Sequence, residues 1–215
     1  MSGPVNIRMD PQWSLRNPLG VHHRFQEDLA EIMPSVLERT MLSTDRLSVI
    51  RDCCDGVSSL DGMVAEVGVF RGGSLLLMSA SLPDKMVHGF DTFEGFLDGP
   101  SREDFCPGGS PDLSGLRDVE FSDVLESVGS RDNVRLHRGR FPGTSRWLSD
   151  DDRFCLVHFD ADPHSVATDF LNVFHHRMVD GGVMIFDDYG FEFFPGVKTA
   201  VDTFMSGRND VLIET

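Results

Sequence analysis

Two clusters of carboxylates stand where apolar runs stop. Asp160 and Asp162 follow the run 154–159, Phe-Cys-Leu-Val-His-Phe, and Asp187-Asp188 follow 182–186, Gly-Val-Met-Ile-Phe. Such runs read as buried strands of a parallel sheet, whose ligands bind in the crevice outside the carboxyl ends of the strands. Two of these strands side by side bring at least three carboxylates to one spot. Carboxylates so placed repel one another unless a proton or a cation lies between them. Hard divalent cations take oxygen ligands, which makes Mg²⁺ the natural guest.

A second constellation lies earlier. Segment 65–74, Ala-Glu-Val-Gly-Val-Phe-Arg-Gly-Gly-Ser, leaves one apolar run and opens a helical one. Gly68, Gly72 and Gly73 carry no Cβ, so the backbone can turn sharply and a ligand can approach closely. Free N–H groups at the helix start favour a carboxylate or phosphate. The spacing is not the dinucleotide-binding G-x-G-x-x-G. Asp91 closes the next apolar run, 25 residues beyond Glu66. An acid there suits the two hydroxyls of a ribose. A plain strand-to-helix turn would use the same glycines.

These groups need a sheet to carry them. Apolar runs at 63–67, 86–90, 134–136, 154–159 and 183–186 alternate with helical patterns near 73–81, 119–128, 165–179 and 196–206. That alternation predicts an α/β domain with a mostly parallel sheet and helices on both faces. Gly181 and Gly182 are expected to stop the 165–179 helix, and 210–214 suggests a sixth strand. Ahead of the sheet, residues 1–20 hold Pro4, Pro11, Pro18 and Gly20 and read as an extended arm. An amphipathic pattern over 25–41 carries Pro34, which kinks or splits it. A further helix starts after Ser43-Thr44-Asp45, with Leu47, Ile50 and Cys54 on one face. The Gly-, Pro- and Asp-rich stretch 97–115 is long enough to be a functional loop. Phe191, Phe193 and Phe194 either fold onto the core or wall a substrate pocket.

Composition narrows the classes. A chain of 215 residues fits one globular fold, and its net charge of −16 opposes binding to a phosphate backbone. Arg135, Arg138 and Arg140 form only a local basic patch. No apolar stretch reaches the roughly 18–20 residues of a membrane span, and the N-terminus shows no secretory pattern. Cys53, Cys54, Cys106 and Cys155 lack metal-ligand spacing and read as reduced thiols. A cytoplasmic protein that binds neither nucleic acid nor membrane is expected.

The chain resembles the macrocin-type O-methyltransferases, class I enzymes that use S-adenosylmethionine (SAM) and Mg²⁺ to methylate sugars in natural-product pathways. The resemblance rests on residues 39–46 (Arg-Thr-Met-Leu-Ser-Thr-Asp-Arg), 65–74, 88–95 (His-Gly-Phe-Asp-Thr-Phe-Glu-Gly), 135–141 (Arg-Leu-His-Arg-Gly-Arg-Phe), 158–162 (His-Phe-Asp-Ala-Asp), 187–190 (Asp-Asp-Tyr-Gly) and 196–202 (Gly-Val-Lys-Thr-Ala-Val-Asp). It implies a Rossmann-like methyltransferase core over 61–215 behind an N-terminal helical lid or dimer contact over 1–60. Glu66, Gly68, Arg71, Gly72, Gly73 and Ser74 would cradle the methionine part of SAM. Asp91 would hold the ribose beside Thr92 and Phe93, with Gly139 and Phe141 near the adenine and Asp160 at the reacting end. Asp160, Asp187 and Asp188 match the metal ligands. Asp160 is the leading general base, with His164 and His137 behind it.

The implied partner is a small-molecule acceptor, a sugar or other natural product of antibiotic biosynthesis, handled by a homo-oligomer, expected as a homodimer. Two departures mark the chain. Where the family shows Leu-Tyr-Glu-Ser-Thr, here stand Pro163, His164, Ser165, Val166 and Ala167. The family also continues through an antiparallel strand beyond 210–214. Two other readings compete. A sugar-nucleotide glycosyltransferase would use Asp160-x-Asp162 on a metal-bound diphosphate, and a non-catalytic relative would bind SAM alone.

Overall fold

Five parallel strands form the centre, in the order β3-β2-β1-β4-β5. The computed structural model describes residues 29–95, 104, 119–192, 194–208 and 210. The arm at 1–20, the start of the 25–41 helix, the loop 97–115 apart from Asp104, Cys106, and the strand at 210–214 apart from Asp210 lie outside the described residues. Along the chain come α1 (Met33–Glu38), α2 (Thr44–Val57), β1 (Met63–Val67), α3 (Gly73–Ser81), β2 (Val87–Asp91), α4 (Phe121–Ser127), β3 (Val134–Arg138), β4 (Phe154–Phe159), α5 (His164–Phe174), β5 (Met178–Phe186) and α6 (Pro195–Met205).

The strands form where Val, Ile, Phe and Met cluster, because a central parallel strand is buried on both faces. Every residue of β4 is buried. On one side Leu47, Ile50, Cys54 and Val57 of α2 join Val64, Leu75 and Leu156 in a single cluster. On the other, Phe170 and Phe174 of α5 and Val197 and Ala200 of α6 meet Ala65, Val67, Phe90 and Phe159. Each fully buried Phe contributes about 1.5–3 kcal/mol by leaving water. Helix α2 thus packs in one cluster with residues of the sheet.

Ser43 caps α2, its Oγ accepting the Arg46 N–H at 3.3 Å. Pro34 occupies the first turn of α1, where its missing N–H costs nothing. Cys53, Cys54 and Cys155 are free and buried, and burial pushes the Cys53 thiol up to about 12, so it stays an inert packing group.

The glycines at 181–182 depart from expectation. Helix α5 ends at Phe174, a 3₁₀ turn follows over His175–Arg177, and both glycines lie inside β5. Phe154 pairs with Met178 and Leu156 with Val183, so β5 carries three more residues than β4 across that interval. This is a bulge. Gly181 supplies a positive φ of 81° there, and a Cβ on Gly182 would come within 3.2 Å of the Cys155 carbonyl oxygen.

Candidate active site

Strands β4 and β5 are adjacent and end in register, Phe159 opposite Phe186. Their exits therefore meet, and Asp160, Asp187 and Asp188 each bring a carboxylate oxygen within 4.8 Å of the others. Burial, then the charge of Asp187, raises the Asp160 pKa well above the ordinary carboxylate value. Asp187 is raised as well, mainly by burial. Asp162, which takes a left-handed φ of 65°, is raised by burial and by a hydrogen bond shared with Asp188. These shifts have one physical meaning. The cluster holds more negative charge than its surroundings neutralise, which invites a proton or a metal ion.

One cation already addresses it. Arg46, in the first turn of α2, donates through Nη1 to Asp187 Oδ2 and, at 3.5 Å, to Asp188 Oδ1. In the sequence Arg46 closes the 39–46 motif, with nothing local to mark a role. Its contacts span 141 and 142 positions, and no periodicity signals a pairing that distant.

Directly behind the cluster lies a buried pair. Glu66 and His158 face one another across β1 and β4, with His158 Nδ1 2.8 Å from Glu66 Oε1 and both residues fully buried. Burial alone would lower the histidine pKa. The hydrogen bond and charge of Glu66 outweigh it and raise the value to about 9. A protonated His158 thus adds positive charge beneath the aspartates. Glu66 stands within the sheet rather than on the cavity wall.

The cavity itself measures about 310 Å³, at the small end of the ~300–1,000 Å³ typical of ligand pockets. It runs from Asp91, Thr92 and Phe93 at the β2 end to Asp160 and Asp162 at the β4 end, and Gly68, Gly139 and Phe141 also line it. Of the residues expected around a cofactor, these seven positions meet: Gly68, Asp91, Thr92, Phe93, Gly139, Phe141 and Asp160. Gly68 is needed for a second reason, since a Cβ there would lie 2.0 Å from the Asp160 carbonyl oxygen.

Asp91 is more engaged than a ribose clamp requires. Its Oδ2 accepts the Val69 and Phe70 N–H groups at 2.7 and 2.8 Å, and its Oδ1 accepts the Phe93 N–H at 2.7 Å. Phe70 and Phe93 both sit at positive φ, 51° and 55°, conformations that cost about 1–3 kcal/mol without support. Asp91 supplies that support. A carboxylate has about four lone-pair sites, so one remains for a ligand hydroxyl.

The other expected residues fall elsewhere. A Cβ on Gly72 would strike Val128, and one on Gly73 would strike Thr40 and the Val36 carbonyl oxygen. On their Cβ sides both glycines admit the chain's own segments, the one after α4 and the one at the end of α1. Ser74 is buried at the start of α3, and Arg71 is exposed with its guanidinium 5.0 Å from the Phe70 ring.

His137 is also displaced from the role of base. It lies on β3, three strand spacings from β4, or roughly 14 Å at ~4.8 Å per strand. There its Nε2 is 2.9 Å from His88 Nδ1 and its ring stacks on Phe90. His164 opens α5, and its backbone N–H donates to Asp104 Oδ1 at 2.6 Å. Its neighbours Pro163 and Ser165 line the cavity, but His164 does not. Phe194 packs against the core, while Phe191 is exposed beneath Arg46; Phe193 lies outside the described residues.

A parallel sheet in this strand order, helices on both faces and a cavity along the carboxyl edge define a class I SAM-dependent methyltransferase fold. The chain belongs to the macrocin O-methyltransferase (TylF) family, whose model matches residues 22–211. Demethyldecarbamoylnovobiocin O-methyltransferase of Streptomyces niveus is 30% identical over 184 residues, covering 77% of this chain and 67% of that protein. The solved structure of the O-methyltransferase NovP is similar at 27% identity and a TM-score of 0.65, over 78% of this chain and 74% of its own. The calicheamicin methyltransferase CalS11 shares the fold, with a TM-score of 0.66 at 20% identity over 93% of this chain and 86% of its own. This chain is accordingly an O-methyltransferase, and the glycosyltransferase reading falls away. Among the described residues no helix is long and apolar enough to cross a membrane.

Proposed function

We propose that this enzyme moves a methyl group from SAM to a hydroxyl of a sugar or glycosylated natural product, with Mg²⁺ held by Asp160, Asp187 and Asp188. The observation that carries the reading is the cavity that reaches Asp160, one of three mutually close carboxylates. The kinship to a novobiocin-pathway O-methyltransferase supports the choice of acceptor. Reduced to its bonds, the reaction breaks one sulfur–carbon bond, forms one oxygen–carbon bond, leaves a thioether and frees one proton. A bound divalent ion supplies Lewis acidity, which makes a hydroxyl proton easier to lose.

The chain's own residues do the rest. Asp91 and the glycine-bordered wall at Gly68 and Gly139 hold the donor, and Phe141 and Phe93 offer it apolar contact. Holding donor and acceptor in one short cavity supplies rate through proximity. Asp160, which lines the cavity, is the group we assign to take the proton. Where the family carries Tyr, Glu, Ser and Thr, this chain has His164, Ser165, Val166 and Ala167, and His164, the one titratable group of that turn, does not line the cavity.

The test is direct. The protein is incubated with SAM and a panel of sugar nucleotides and glycosylated natural products, with Mg²⁺ or with EDTA, and products are read by mass. A hydroxyl acceptor should gain one methyl group only when Mg²⁺ is present. Full turnover in EDTA would remove the metal from the mechanism. Failure to bind SAM by calorimetry would remove the donor.

A further inference from the structure

A single nitrogen of Arg46 bridges two of the three clustered carboxylates. Nη1 donates to Asp187 Oδ2 and to Asp188 Oδ1, which is how a metal ion would join them. A hard cation would sit about 2.0–2.6 Å from those oxygens, leaving it and the guanidinium in near contact. Like charges at that range repel strongly in a half-buried site. Arginine keeps its proton at any relevant pH, so its charge cannot be shed. The side chain has to move instead, and it is free to do so. Its side chain is 40% exposed, it issues from the first turn of α2, and it lies 5.7 Å from the exposed Phe191 ring rather than packed in the core.

From this bridging contact we infer that Arg46 is a built-in counter-cation of the Asp160–Asp187–Asp188 cluster, which competes with a divalent ion for the same carboxylates and so sets the enzyme's metal affinity. The inference rests on the metal reading proposed above. Arg46 holds Asp187 and Asp188 close together until an ion of higher charge takes them. Release of the guanidinium then uncouples the start of α2 from the end of β5, which ties metal occupancy to the segment bordering the site. Arg46 is a positioning residue in this scheme, because it acts through the carboxylates.

Mn²⁺ binding, followed by the loss of its free-ion electron spin resonance signal, tests the competition without any turnover. Arg46→Met and Arg46→Gln remove the charge, and Arg46→Lys keeps it; thermal melting checks that each variant is folded. Both neutral variants should bind Mn²⁺ about tenfold or more tightly than the wild type, since a neighbouring positive charge no longer opposes the ion. Arg46→Lys should stay close to the wild type. If a folded neutral variant binds with equal or lower affinity, or if the lysine variant binds as tightly as Arg46→Met, the counter-cation role is overturned and the metal site stands. If Mn²⁺ binds neither the wild type nor any variant, both readings fail together.

Discussion

At the β2 end of the cavity, Asp91 is surrounded by donors. Three backbone N–H groups point at its two oxygens. At the β4–β5 end, Asp160, Asp187 and Asp188 face mainly one another, with Arg46 reaching the last two. The same side chain, at the same kind of strand exit, is thus employed in two ways. Asp91 is satisfied by the fold and holds two left-handed residues in place. The other three are left with excess charge that folding does not compensate. A protein tolerates such a deficit where something else will settle it, and the site is marked by that deficit more than by residue type.

The strongest way to break the contrast is to remove an aspartate from the uncompensated end. Losing even an outer partner of a metal ligand costs about 10–100-fold, so Asp160→Ala or Asp187→Ala should lower turnover by more than about 100-fold. SAM affinity, measured calorimetrically, should stay near the wild-type value. The fold should also persist, because relieving repulsion offsets lost contacts. A variant with full activity would show that the carboxylates are not the reacting end.

Asp91→Ala should behave in the opposite manner. Three part-buried N–H groups lose their acceptor and two positive-φ residues lose their support, so urea titration should report a loss of about 1–3 kcal/mol. SAM should bind about tenfold more weakly or worse, through both the lost hydroxyl contact and the loosened turn. Unchanged affinity together with lowered stability would make Asp91 a structural acid only.

The strands and their acidic exits were legible because the physics is local. Runs such as 154–159 are apolar apart from the buried His158, as suits a strand buried on both faces, and the carboxylate just beyond falls in the crevice. Gly72 and Gly73 carry a second packing reason that the sequence does not reveal. A missing Cβ signals close approach without saying what approaches, and here the visitors are Val128 of the segment after α4 and the end of α1. The distance of His137 from the aspartates was not legible, because strand order is not written in any one segment. Only the order β3-β2-β1-β4-β5 puts two strands between it and the aspartates. The bulge in β5 was hidden by the glycines' resemblance to a helix stop.

A finer contrast lies in the two histidine pairs. Beneath the uncompensated end, Glu66 raises the His158 pKa to about 9. On the β2–β3 side, burial and then the charge of His137 lower the His88 pKa to about 4. Each starts from 6.5, so their pH dependences have opposite signs. For His158 the folded value is the higher one; its stabilising effect is complete below about pH 6.5 and is lost as pH rises through about 9. For His88 the folded value is the lower one; its effect is complete above about pH 6.5 and is lost as pH falls through about 4. Unfolding free energies in EDTA are compared between variants and wild type at each pH. Glu66→Gln should flatten the alkaline side between pH 6.5 and 9, while His88→Asn should flatten the acid side between pH 4 and 6.5. If Glu66→Gln leaves the alkaline side unchanged, His158 is neutral in the folded protein. The positive charge beneath the aspartates would then come from Arg46 alone among the groups seen to touch them, and the competition between Arg46 and a metal ion would carry more of the site's electrostatics.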